Sequence, residues 1–379
     1  MHTHVRTYRD NDEPGYICQT HEAEKEFCVD QPKALEAFVG DSVTFPCSFV
    51  YPASEDRISS VDVAVKADSG RFCGNNENEI YNTATMSSSR GYEGRVSVML
   101  DRENRNASVT IRNLQSGESK YYCCRMQIKL QDGNIEIWQH AVGTYIRVRG
   151  ADEGILEQPP FIPALAGDTV TLLSRLKTKN NPSLNVTACR VRWDREDTGC
   201  GSNSYDINCT TSPNILFSIN HVNSSHQGWY CLSIDFSTGD GPRSAQRETG
   251  TQLLILQPEN TLNISQPPEV VFNNPLIINC SFSVPNKRVI LHSAVYWMMG
   301  NPREHFVFHP DPDYIHPDYK GKTQLVGDSD LHLNVSNVPD NTTLYCRVVI
   351  KRCASGQGNQ IDTILEEGPG TRLRVHGKK

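Results

Sequence analysis

No run of eighteen apolar residues occurs anywhere in the 379 residues, so no segment of this chain reads as a membrane-spanning helix. The N-terminus, Met1-His2-Thr3-His4-Val5-Arg6, lacks the apolar core of a secretory signal. The chain is therefore expected to be a trimmed ectodomain, with any membrane anchor outside this sequence, or a mature secreted form. A broad basic stripe is missing as well. The net charge of −7 argues against a nucleic-acid partner.

Catalytic signatures are equally scarce. Asp68-Ser69-Gly70 and Asp197-Thr198-Gly199 share the triplet of aspartic proteases, whose chemistry needs two carboxylates sharing one proton. Neither follows a hydrophobic strand and both fall in predicted turns, so the chain is not expected to be an enzyme. His305 and His309, the pair that could evoke a metal, would lie about 13 Å apart in an extended strand, too far to share an ion. No nucleophile elbow or zinc-helix motif is found, and neither a metal nor a cofactor is expected.

Cysteine, by contrast, is plentiful. Thirteen cysteines stand beside eight Asn-x-Ser/Thr sequons, at Asn106, Asn185, Asn208, Asn223, Asn263, Asn279, Asn334 and Asn341. Together they indicate an oxidising compartment and a glycosylated, extracellular surface. Asn208 and Asn279 each precede a cysteine and Asn334 sits between Leu333 and Val335, so strand alternation turns these asparagines outward where their neighbours turn in.

The most informative stretch is Tyr121-Tyr122-Cys123-Cys124-Arg125. Upstream, Val109 and Ile111 alternate with Ser108, Thr110 and Arg112 as in a half-buried strand. Glu118, Tyr122 and Cys124 then give acidic-x3-Tyr-x-Cys, the corner that leads into strand F of an immunoglobulin-type sandwich. Strand B is supplied by Val43-Thr44-Phe45-Pro46-Cys47, so Cys47 and Cys124 are expected to bridge the two sheets. That bond contributes roughly 4–5 kcal/mol on the loop-entropy model. No tryptophan stands in the strand C region, Val61 to Val65, and a valine is expected to fill the space over the disulfide.

The length accommodates three sandwiches of about 100 residues each. The fold class is all-β, with three tandem V-type immunoglobulin-like sandwiches. Residues 1–32 read as an N-terminal extension, 33–149 as the first V-type domain, 150–257 as the second domain and 258–379 as a V-type third domain. In the first, Arg95 at the start of strand D is placed to pair with Glu118. Cys123, one residue off the core cysteine, faces outward and has Cys73 as its partner. In the second domain Ser174 holds the strand B cysteine position and Leu232 the strand F one. Cys231 is then the outward counterpart of Cys123 and is paired with Cys200, leaving Cys189 with Cys209, while Trp193 packs where the core bond is missing. The third domain has the order Cys280, Trp297, Cys346. Cys18 and Cys28 are expected to close a local loop, the alternative being that one of them ties the extension to the first domain. Cys353 remains, and an odd cysteine in a secreted protein points to a covalent partner such as a disulfide-linked dimer; the alternative is an error in one of the six pairs.

Arg125 follows the core cysteine and is expected to lie exposed on the outer face of strands C, F and G; Arg347 occupies the same place in the third domain. A guanidinium there can take a carboxylate in bidentate fashion. The structural alternative is an ion pair with Asp132 in the F–G loop. The run from Asn113-Leu114-Gln115 through Tyr122, Cys124 and Arg125 to Trp138-Gln139 and Gly143-Thr144 resembles the V-type domain of paired immunoglobulin-like type 2 receptors. Cys47-Ser48-Phe49-Val50-Tyr51-Pro52 is similar to strand B of siglecs. In the third domain, Ser265 to Val270, Cys280-Ser281-Phe282 and Cys346-Arg347-Val348 resemble the natural cytotoxicity triggering receptor with a single V-type domain, and Tyr319 to Asp328 resembles siglecs. These resemblances imply that Arg125 clamps a sialic-acid carboxylate, that Trp138 packs on the sugar and that Gln139 hydrogen-bonds beside it.

The function expected is the ectodomain of a cell-surface immune-type receptor that recognises sialylated glycoprotein through its first domain. One exposed ion pair and one aromatic give weak affinity for free sugar, about millimolar. Usable binding then needs carrier-protein contacts or multivalency. The alternative is glycan-independent recognition of a protein counter-receptor, or a secreted or pathogen-encoded decoy with the same fold.

Overall fold

The computed structural model describes residues 19–20, 26–50, 58–73, 78–179, 185–195, 204–208, 214–238, 241–247, 249–257, 262–272, 276–283, 290–300, 303, 305–327, 332–336, 339, 341–353 and 361–375. The first domain contains β1 (Gln19–Thr20), β2 (Glu26–Asp30), β3 (Ala34–Phe38), β4 (Val43–Val50), β5 (Ile58–Asp68), β6 (Glu79–Asn82), β7 (Ser87–Ser88), β8 (Val96–Asp101), β9 (Asn106–Ile111), β10 (Lys120–Leu130), β11 (Ile135–Gln139) and β12 (Thr144–Arg149). One sheet runs β1-β2-β4-β9-β8; the other runs β3-β12-β10-β5-β6-β7, with β11 added to β10. The second domain contains β13 (Gly154–Glu157), β14 (Phe161–Leu165), β15 (Val170–Thr178), β16 (Asn185–Asp194), β17 (Ser204–Ile207), β18 (Asn214–Ile219), β19 (Gly228–Thr238), β20 (Gly241–Gln246) and β21 (Thr251–Leu256). Its sheets are β13-β15-β18 and β14-β21-β19-β16-β17, with β20 on β19.

The third domain contains β22 (Asn263–Ser265), β23 (Glu269–Phe272), β24 (Leu276–Ile278), β25 (Ser281–Ser283), β26 (Ile290–Met299), β27 (His305–Phe308), β28 (Thr323–Val326), β29 (His332–Val335), β30 (Thr343–Cys353), β31 (Ile361–Glu367) and β32 (Thr371–Val375). Its sheets are β22-β25, β24-β29-β28 and β23-β32-β30-β26-β27, with β31 on β30. Alternating apolar residues explain the strands: along β9, Ala107, Val109 and Ile111 are buried while Asn106, Ser108 and Thr110 are not. Each domain has its own apolar core, with Phe45 and Tyr122 at the centre of the first, Phe236 and Leu253 in the second and Trp297 in the third.

One device recurs in all three domains. The dipeptides Gln31-Pro32, Gln158-Pro159 and Gln266-Pro267 precede the strands that pair in parallel with β12, β21 and β32. Gln31 donates to the Tyr122 carbonyl at 2.8 Å and accepts from Cys124 N at 2.8 Å, and Thr144 donates to the Pro32 carbonyl at 2.6 Å. Gln266 repeats this with the Leu344 carbonyl and Cys346 N, and Thr371 donates to the Pro267 carbonyl. In the second domain Leu232 N donates to Gln158 and Thr251 to the Pro159 carbonyl. Proline ends one pairing, and the glutamine side chain satisfies strand backbone that no neighbouring strand reaches at that point.

Disulfides join Cys47 to Cys124, Cys73 to Cys123 and Cys280 to Cys346. Cys189 and Cys231 are also disulfide-bonded. Their expected partners Cys209 and Cys200, and Cys18, lie outside the described residues. The N-terminal cysteines depart from expectation. Cys28 is bonded not to Cys18 but to Cys353, 325 residues away, so Cys353 is no free thiol and provides no link to a second chain. The reason is packing: β2 is a strand of the first domain, paired with β4, and its end meets the third domain in an apolar contact of Cys28, Val50, Leu291 and Cys353.

Polar seams accompany that bond. Asp30 meets Lys351 at 3.5 Å between the first and third domains, and Lys179 meets Asp41 at 2.8 Å between the second and first. Arg175 pairs with Asp311 at 2.8 Å and Asp313 at 2.7 Å between the second and third. Every domain therefore touches both others. Two histidines sit in or beside these seams. Burial pushes His140 and His309 down to about 4, partly offset by backbone hydrogen bonding at Val142 and Asp311.

Non-reducing peptide mapping should recover a Cys28–Cys353 linked pair, and the double variant Cys28→Ser/Cys353→Ser should lose about 2–5 kcal/mol; an unchanged melting temperature would contradict the closure. The histidines give a pH dependence whose sign is set. Both are neutral in the fold, so stability is full above about pH 6.5 and falls toward about pH 4, by up to about 1.4 kcal/mol per pH unit for each. His309→Asn should flatten the melting temperature between about pH 7 and about pH 5; an unaltered slope would contradict this assignment.

Candidate functional site: the outer face of the first domain

The face is built from β5, β10 and β11, and register decides what points outward. Arg125 pairs with Ala64 on one side and Gln139 on the other, so these three share the outer face. The same row of alternation adds Cys123, Gln127 and Lys129 from β10, and Ile137 and Ile135 from β11. Trp138 pairs with Met126, a fully buried core residue, and therefore lies on the opposite side of the sheet. It packs against the core that contains Val29, Cys47, Cys124 and Ile128. The indole expected beside the guanidinium is turned inward.

Arg125 is not displayed either. It is 2 % exposed, and its Nε donates to Gln139 Oε1 at 2.9 Å. Gln139 in turn donates to the Cys73 carbonyl at 2.9 Å. The Cys73–Cys123 bond pins Cys73 to this face, where Lys66 and Ala64 are buried as well. Burial lowers the Arg125 pKa, with Glu79 opposing. The structural alternative fails in its detail too, because Asp132 turns its carboxylate onto Asn134 N and Nδ2, both at 2.9 Å. Gly143 makes the closure sterically possible: a Cβ there would stand 2.9 Å from Cys123 Sγ. Gly250 has the same relation to Cys231.

Arg347 is likewise removed from solvent, at 4 % exposed. It bonds Asp168 of the second domain through Nη1 at 2.7 Å and Nη2 at 3.2 Å, and Glu367 through Nη2 at 2.7 Å. Burial opposes its charge, yet the two carboxylates hold its pKa above the ordinary arginine value. Arg303 completes the group, donating to Glu367 at 2.8 Å and lying over the Tyr345 ring. Arg347 thus binds the protein's own second domain, a role that no motif within the third domain announces.

What the face does present is apolar. Phe72 bridges to Val142 and is 65 % exposed, and Ile135 is 42 % exposed next to half-buried Ile137. The other motifs find modest uses. Asp68 caps its own turn by accepting from Gly70 N at 2.9 Å, and Asp197-Thr198-Gly199 lies outside the described residues. His305 stacks near His316 and His309 near Tyr314. Among the described residues no group of three or more His, Cys, Asp or Glu could hold a metal. No helix among them is long and apolar enough to cross a membrane. None of the eight sequon asparagines is buried.

A family model for the immunoglobulin V-set domain matches residues 30–146. Residues 30–146 form an immunoglobulin V-set domain. Over 161 residues the chain is 25 % identical to paired immunoglobulin-like type 2 receptor beta-2 of Mus musculus, covering 42 % of this chain and 67 % of that receptor. Among solved structures, murine CRIg is similar at 22 % identity and a TM-score of 0.26, covering 32 % of this chain and 96 % of that one. A marsupial T cell receptor is similar at 14 % identity and a TM-score of 0.26, covering 90 % and 98 %. The V-set match begins at Asp30, one residue before the Gln31-Pro32 clasp.

Arg347→Ala should cost about 3–5 kcal/mol, because it strands the Asp168 carboxylate in a buried seam. Denaturation of the single and double variants with Asp168→Ala should show strong coupling; additive losses would contradict the pair. Arg125→Ala should cost about 1–3 kcal/mol through the orphaned Gln139 oxygen, and a variant of unchanged melting temperature would show the arginine to be a surface residue.

Proposed function

We propose that this chain is the extracellular part of an immune-type receptor whose V-set domain recognises a protein counter-receptor independently of sialic acid. The observation that carries this reading is the burial of Arg125 beside Gln139 and Cys73, with Trp138 on the other side of the sheet. A carboxylate clamp needs a guanidinium in contact with solvent and an aromatic on the same face, and both conditions are unmet. Phe72, Ile135 and Ile137 instead give the β11 side of the face an apolar centre, bordered by Gln127 and Lys129. Aromatic and aliphatic anchors with a polar rim are the composition of protein interfaces.

The cysteines and sequons support an extracellular or cell-surface location, and the relative at 25 % identity is itself a receptor. Arg347 belongs to the interdomain seam and is withdrawn from ligand binding. The three-domain closure fixes how the V-set face is presented, since no domain is tethered by a linker alone.

Binding of the tagged chain to a panel of cells should survive sialidase treatment, and Phe72→Asp or Ile135→Asp should weaken it about tenfold or more, a loss of about 1.4 kcal/mol or greater. Binding that vanishes after sialidase while tolerating both substitutions would overturn the proposal.

A further inference from the structure

In the first domain β7 and β8 lie between β6 and β9, and β8 closes one side of the core. In the second domain the described part of the corresponding sheet is β13-β15-β18, three strands where the first domain has five. Beside it opens a cavity of about 250 Å³ walled by Trp193, Tyr205, Phe217 and Tyr230, with Ser225 and His226 as its polar side.

The sequon Asn223-Ser224-Ser225 stands at the edge of this cavity. Asn223 caps the short 3-10 turn Ser224–His226, its Oδ1 accepting from Ser225 N at 2.9 Å and Ser225 Oγ at 2.6 Å. That leaves Nδ2, the atom that carries an N-linked sugar, on the same amide as an oxygen touching a cavity residue, and Asn223 itself is exposed. We propose that the first sugar of a glycan on Asn223 folds back into this cavity and covers its aromatic walls. Its attachment replaces one Nδ2–H by a bond to the sugar C1, with a lipid diphosphate leaving and the proton passing to solvent. The sugar's C–H face then packs on the electron-rich aromatic rings.

The inference rests on the extracellular reading, and the experiment separates the two. Protein secreted from mammalian cells is mapped by glycopeptide mass spectrometry, then compared with Asn223→Asp, which keeps the capping oxygen and deletes the glycan. Asn263→Asp is the matching control at a distant sequon. Asn223→Asp is expected to bind an apolar fluorescent dye several-fold more than the parent and to exchange amide hydrogens faster along β18, while Asn263→Asp does neither. Glycans at both sites with no difference between the two variants would overturn the docking alone. A bare Asn223 among occupied sequons would also overturn it, and eight bare sequons would overturn the extracellular reading with it.

Discussion

Two adjacent cysteines in one strand cannot face the same way, and much of this molecule follows from that. In β10 the alternation of side chains sends Cys124 into the core to meet Cys47 and sends Cys123 out to meet Cys73. The inner bond is common to sandwiches of this class; the outer bond pins Cys73 to the outer face of the sheet. Arg125 comes next in the strand and is buried beside it, with Gln139 between the guanidinium and the Cys73 carbonyl. The second domain carries the same outward cysteine at Cys231 and the same facing glycine at Gly250, while Leu232 replaces the inner cysteine. In the third domain the outward place belongs to Tyr345, covered by Arg303, and the inner bond is restored.

The arginine after the core position is used twice, each time internally. In the first domain it bonds Gln139, and in the third it bonds Asp168 across a domain boundary. Removing two such charges from water is expensive, so each has to be matched by carboxylate or amide partners of good geometry. The Arg347, Asp168, Glu367 and Arg303 group has that geometry. With Cys28 bonded to Cys353, it turns a chain that could have been three beads on a string into a body in which every domain contacts the other two.

Much of the fold was legible in the residues because its determinants are local. Strand alternation, the Tyr-x-Cys corner and the order Cys280, Trp297, Cys346 each identify elements from the residues alone. Three expected pairings, Cys47–Cys124, Cys73–Cys123 and Cys280–Cys346, are present in the structure. The site was less legible. Trp138 was placed beside Arg125 by resemblance, although the hairpin register that pairs 125 with 139 puts 138 on the other side. The burial of Arg347 depends on the packing of a different domain, and Cys28 reaches Cys353 across nearly the whole chain; neither leaves a local trace. The three Gln-Pro dipeptides were visible all along, and their repetition was the overlooked signal for where the chain leaves one sheet of each domain for the other.

The state of one guanidinium tests this account most directly. Treatment of the folded protein with an arginine-selective dicarbonyl, read by peptide mass spectrometry, should modify exposed Arg71 and Arg112 quickly and leave Arg125 unmodified until the protein is reduced or unfolded. Modification of Arg125 at the rate of Arg71 in the folded, oxidised protein would show that the face is open, and would return the carboxylate clamp to the first domain.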